Sequence, residues 1–178
     1  DAVVKQLGDR FKAQPAEIVE RVSALQEELK GTQKALAAAR EQLALAKAEA
    51  LAAQAVAVGA TPAGAPFQML VARLDGVEGA GLQSAAQGLA DQLGDGAAVV
   101  LGGLPDPADL GKVILVAAFG PAVIAAGQQA GKFIGGVAKA CGGGGGGRPN
   151  LAQAGGRDGA ALDGALAQAR QGLEAALG

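Results

Sequence analysis

"GAAVVLGGLPDPADLGKVILVAAFG", residues 96–120, sets the class of fold. It holds two short apolar runs, 96–103 and 112–119, rich in Val, Ile, Leu and Ala and bounded by Gly, Pro and Asp. Runs of that length between turn residues read as strands with both faces buried. "PDPAD" between them reads as a turn, since Pro fixes φ and Asp bonds its own backbone. The apolar stretch "VILVAAFGPAVIAAG" is 15 residues long and is broken at Gly120-Pro121. It is too short to span a bilayer and reads as a strand, a turn and the start of another element.

The flanking segments complete an alternation. Upstream, "FQMLVARL" (67–74) reads as a strand and "GLQSAAQGLADQLG" (81–94) as a helix ending in Gly. Downstream, "AAGQQAGKFIGGVAKAC" (125–141) reads as a helix despite its glycines. "NLAQAGG" reads as a short extended piece, and residues 159–177 as a closing helix with Asp158 placed at its N-terminus. Strands alternating with helices predict an α/β domain of two or three layers over residues 67–178, with a mostly buried sheet. Before it, "AVAVGATPAGAP" (55–66) reads as a linker.

Residues 1–54 read as a helical arm. "VVKQLGDRFKA" (3–13) is a short amphipathic helix, and Pro15 with Glu17 restarts the chain. From Ile18, apolar or small residues recur at Val22, Leu25, Leu29, Thr32, Leu36, Ala39, Leu43, Ala46 and Ala50. That 4-3 spacing is a heptad seam on a coiled-coil-like helix of roughly 60 Å over residues 15–54. The seam is expected to bury against a helix of this chain, its globular domain, a second copy or another protein.

Composition excludes several chemistries. The 178 residues contain no His, which removes Ser-His-Asp and Cys-His catalysis and His-based zinc sites. The single Cys141 forms no internal disulfide, reads as a packing residue at a helix end, and points to a reducing compartment. No signal or transit peptide is recognisable, and a chain beginning at Asp1 reads as processed or trimmed. Gly127-x-x-x-Gly131-Lys132-Phe133 is one residue short of a phosphate loop and has Phe where Ser or Thr belongs. Asp106 and Asp109 read as turn chemistry. No catalytic or metal-ligating residue is expected.

Charge is distributed unevenly. The net charge is −2, yet residues 111–157 carry Lys112, Lys132, Lys139, Arg148 and Arg157 and no Asp or Glu. At the centre of this basic stretch stand six glycines, residues 142–147, followed by Arg148 and Pro149. Bare glycine backbone exposes N–H groups and lets a bulky anion come close, and Arg offers a planar fork to phosphate. A side chain at Gly145 is expected to block that approach. The alternatives are a loop packed tightly across the sheet and a solvated basic face. The run is no dinucleotide loop, because it follows a helix and meets Pro149. Lys132 and Lys139 are seven residues apart and share a helical face, though a helix C-terminus also favours a cation at Lys139.

The segment "AGKFIGGVAKACGGGGGGRPNLAQAGG" resembles the end of the C-terminal domain of the alanyl-tRNA synthetases, in the DHH-associated domain family. The usual pattern there is Gly-Gly-Lys-Gly-Gly-Gly-Arg-Pro-Asp-Met-Ala-Gln-Ala-Gly-Gly. Gly144 stands in place of the frequent lysine, and Asn150 and Leu151 in place of Asp and Met. The order of arm, linker and α/β domain is similar to those synthetases over the whole chain.

The resemblance implies a non-catalytic piece that binds the outer corner of tRNA, mediates oligomerisation, or both, in support of aminoacylation and editing. ATP, Mg and Zn would belong to domains absent from this chain. The implied RNA-binding residues are Lys132, Lys139, Gly144, Gly145, Gly146, Gly147, Arg148 and Arg157. The implied setting is the cytoplasm, or an organelle if the source is eukaryotic. The alternative is a structural or assembly protein that binds partners through the arm. A phosphoesterase, also found beside such domains, lacks its Asp and His ligands here.

Overall fold

The computed structural model describes residues 2–12, 14 and 16–178. Ala13 and Pro15, at the boundary of the two expected arm helices, lie outside the described residues, as does Asp1. The chain divides into two units, Asp1–Ala39 and Arg40–Gly178. The first contains helix α1 (Ala2–Phe11), which buries no residue, and the start of α2 (Ile18–Leu51). At 34 residues, α2 is roughly 50 Å long.

The second unit is built on one six-stranded sheet in the spatial order β1 (Val56–Val58), β2 (Phe67–Arg73), β3 (Ala97–Gly103), β4 (Val113–Phe119), β6 (Leu151–Gly156) and β5 (Gly144–Gly147). The apolar runs 96–103 and 112–119 form β3 (Ala97–Gly103) and β4 (Val113–Phe119), every residue buried, paired antiparallel at the centre. β2 (Phe67–Arg73) runs parallel to β3, and the crossover is α3 (Gly79–Leu93). α3 ends at Gly94, whose φ of 88° is open to glycine and strained for other residues.

Because successive side chains alternate, each central strand feeds two cores. Ala98 and Val100 join Leu115, Ile134, Leu162 and Leu173 on one face. Val99 and Leu101 join Leu70, Leu82, Leu89 and Val116 on the other. The sheet therefore lies between helical layers. α5 (Ala130–Ala138) and α6 (Leu162–Leu177) cover the first face, and α3 with the end of α2 covers the second. Each fully buried Leu or Val contributes about 1.5–3 kcal/mol relative to exposure.

Two expectations need correction. Residues 55–66 are no plain linker: Val56–Val58 form β1, antiparallel to β2 with Val56 opposite Met69 and Val58 opposite Phe67. The segment 125–141 is no single helix. A short helix α4 (Pro121–Ala125) ends before Gly127, whose φ of 90° breaks the helical path, and α5 follows. Within this chain α2 buries Ala44, Ala48 and Leu51 against the second core, which leaves the seam leucines beside them open to a partner. Leu25, Leu29, Leu36 and Leu43 remain 46–59% exposed. Asp158 does sit at the entry to the closing helix, its carboxylate accepting from the backbone N–H of Ala160 and Ala161.

Candidate functional site

The glycine run is a strand. β5 (Gly144–Gly147) pairs antiparallel with β6 (Leu151–Gly156), with Gly144 opposite Gly155 and Gly147 opposite Ala152. The sequence reads this run as an anion-binding loop or a tight packing loop; it is a strand at the end of the sheet. Glycine has low strand propensity, so the extended form is imposed by its neighbours. β6 in turn pairs with the buried β4, which fixes it rigidly.

Close packing explains the composition. A Cβ on Gly145 would meet the Cα of Ala154 and lie 2.5 Å from the Gln153 carbonyl oxygen, both on β6. On Gly147 it would lie 2.8 Å from the Cα of Ala152. From the other side, α5 approaches through glycines of its own. A Cβ on Gly131 would lie 2.6 Å from the Gly147 carbonyl oxygen, and one on Gly135 2.8 Å from that of Gly145. Bare backbone meets bare backbone on both elements. Gly144 differs: nothing stands within 4 Å of the place its Cβ would take, and at Gly146 the nearest atom is 3.9 Å away. The run thus has a structural task whatever it binds, and a side chain at Gly145 acts first on packing.

An open groove of about 610 Å³ lies between α5 and β5. Lys132 and Lys139 line it together with Gly144, Gly145, Gly146, Gly147 and Pro149, and no acidic residue does. The structure therefore brings together six of the eight residues singled out from the sequence. Lys139 reaches the groove from the 3-10 turn Lys139–Cys141 that follows α5.

Arg148 occupies the turn of the β5–β6 hairpin and is exposed. The turn is anchored by its backbone: Arg148 N–H donates to the Leu151 carbonyl, Phe119 N–H to that of Asn150, and Ala130 N–H to that of Pro149. Among the described residues, none of Lys132, Lys139, Arg148 and Arg157 has an acidic partner within 4 Å.

Arg157 lies apart from the others. It lines a second groove, about 720 Å³, with Lys112, Glu78, Gln153 and residues 142–144. Glu78 is held by Lys112 at 3.6 Å, and the Gln153 amide accepts from Gln83 at 2.9 Å. Sequence reasoning did not single out Lys112 or Gln153 as site residues. Their placement follows from the β4–β6 register, which sets Val113 opposite Gly156 and hence Lys112 beside Arg157.

Cys141 is fully buried, and burial first, then the charge of Asp158, pushes its thiol pKa up. It stays a protonated packing residue at neutral pH. Among the described residues no group of three or more His, Cys, Asp or Glu could hold a metal ion. None of the described helices is long and apolar enough to cross a membrane.

Comparison with known proteins gives three findings. Residues 67–175 match the DHHA1 domain model. The chain is 80% identical over 177 residues to an alanine–tRNA ligase of Parasynechococcus marenigrum (strain WH8102), covering 99% of this chain. It is 77% identical over 174 residues to that of Synechococcus sp. (strain RCC307). In each case the match spans only 19% of the relative's length. Among solved structures, it is similar to the C-Ala domain from Aquifex aeolicus alanyl-tRNA synthetase. That match has a TM-score of 0.54 and 26% identity, over 69% of this chain and 96% of the other.

Proposed function

The chain belongs to the DHHA1 domain family, and we propose that it serves as the non-catalytic C-terminal portion of an alanyl-tRNA synthetase, holding the outer corner of tRNA. The observation that carries this reading is the groove in which Lys132 and Lys139 face the glycine strand with no acidic neighbour. Cations beside exposed backbone suit phosphate and sugar, which position an RNA without reading its bases.

Base stacking plays no part in this reading, because among the described residues no aromatic lines either groove. Activation of alanine, editing and their ATP, Mg and Zn are assigned to the rest of such an enzyme. The cytoplasm, where tRNA is charged, is the implied compartment.

Arg148→Ala tests the reading. Its side chain is in solvent, so the melting midpoint stays within about 1 °C. Affinity for a tRNA transcript falls, and the log–log salt slope, on the order of −2 to −3, flattens by roughly one unit. A lowered midpoint with unchanged tRNA affinity would make Arg148 a packing residue and overturn the assignment.

The exposed seam favours a second role, association with a second copy of this chain. Taking Leu29, Leu36 and Leu43 as a positions, Thr32, Ala39 and Ala46 fall at d, and the buried Ala44, Ala48 and Leu51 at b and f on the far side. In an antiparallel pair each a faces a d of the other helix. One register then sets Leu29 against Ala39, Leu36 against Thr32, Val22 against Ala46 and Leu25 against Leu43. Large meets small in three of these four layers, and Arg21 falls across from Glu49 at each end. A parallel pair would stack Leu on Leu and Ala on Ala, alternating bulges with gaps.

A further inference from the structure

We propose that the two grooves form one seat for two sugar-phosphate strands of a folded RNA, held astride its minor groove. The inference rests on the tRNA reading above and extends it from one phosphate row to two. The grooves share a wall, Gly144, which lines both. One groove holds Lys132 and Lys139, and the other holds Lys112 and Arg157. In the second, Lys112 holds the one acidic group, Glu78, and Arg157 is left exposed without an ion pair among the described residues.

Two cationic channels separated by a wall without side chains fit a particular ligand shape. It needs two anionic rows with a polar, uncharged floor between them. The minor groove of an A-form helix has that shape: it is wide and shallow, with 2′-hydroxyls on the floor and a phosphate row on each side. The Gly142 and Gly143 N–H groups are spent on the Lys139 and Ala138 carbonyls, so the wall meets that floor as bare, uncharged backbone. Gly144 adds no side chain to that wall, and the space a Cβ would take there is open. A lone strand has one row and would occupy one groove.

The test compares five proteins on a tRNA transcript across a salt series: the unaltered chain, Arg157→Ala, Arg157→Lys, Lys132→Ala/Lys139→Ala, and the triple variant of Arg157→Ala with both lysine changes. Arg157→Ala is expected to weaken binding roughly three- to tenfold and flatten the salt slope by about one unit. That loss recurs in the triple variant, because the two grooves hold different strands. Arg157→Lys keeps the charge and restores the slope, which a purely structural role would not produce. Suppose Arg157→Ala binds as the unaltered chain does while Lys132→Ala/Lys139→Ala binds weakly. The two-strand seat is then wrong and the single-groove reading survives. If all variants melt and bind as the unaltered chain does, both fall.

Discussion

Gly145→Val lowers the thermal midpoint of the chain by roughly 10 °C, from about 3 kcal/mol of lost stability. The added Cβ would overlap the Cα of Ala154 and the carbonyl of Gln153, and β6 cannot retreat because it is paired to the fully buried β4. The hairpin must open or α5 must lift. Gly144→Ala and Gly146→Ala, two residues of the same strand, are expected to stay within about 1 °C, because their Cβ positions are open and alanine loses less chain entropy. Differential scanning calorimetry on the three variants decides. Equal midpoints would refute the close packing of β5 between β6 and α5.

If the seam pairs with a second copy as proposed, replacing Leu29, Leu36 and Leu43 together with Ala is expected to abolish that self-association. A symmetric pair loses six leucine side chains, at about 1 kcal/mol or more each. Association then weakens by more than about four orders of magnitude. Sedimentation velocity over a micromolar range reads the change. Leu45→Ala is the control: Leu45 is 44% exposed like the others but lies off the seam. Loss of association in the control alone, or no loss in the triple variant, removes the seam from the interface.

Much of this architecture was legible in the sequence because side chains announced it. β2, β3 and β4 are apolar runs between Gly, Pro and Asp, and α3 and α6 follow helical spacing with Gly94 and Asp158 at their ends. β5 was illegible for the opposite reason. Four glycines have no periodicity, and their conformation is decided by β6 and by Gly131 and Gly135 of α5. β1 was hidden by the Gly, Pro and Ala around it, although Val56 and Val58 do alternate about Ala57. Gly127 looked like one more tolerated helical glycine, and only its positive φ marks the break.

The candidate site divides the same way. Lys132 and Lys139 were legible because seven residues return to one helical face, and both line the groove. The meeting of Lys112 with Arg157 was not, since it depends on a strand register between segments far apart in sequence.

The sheet ends in β1 on one side and β5 on the other, and exposed sheet edges invite intermolecular pairing and fibrils. β1 is only three residues long. β5 offers a visiting strand hydrogen bonds but no side chain to interdigitate with, and glycine disfavours the extended state. A strand of glycine, with α5 packed directly against its carbonyls at Gly145 and Gly147, therefore ends the sheet in a poor template for aggregation. Bulky apolar substitutions at the open positions Gly144 and Gly146 would sacrifice that protection without disturbing the fold.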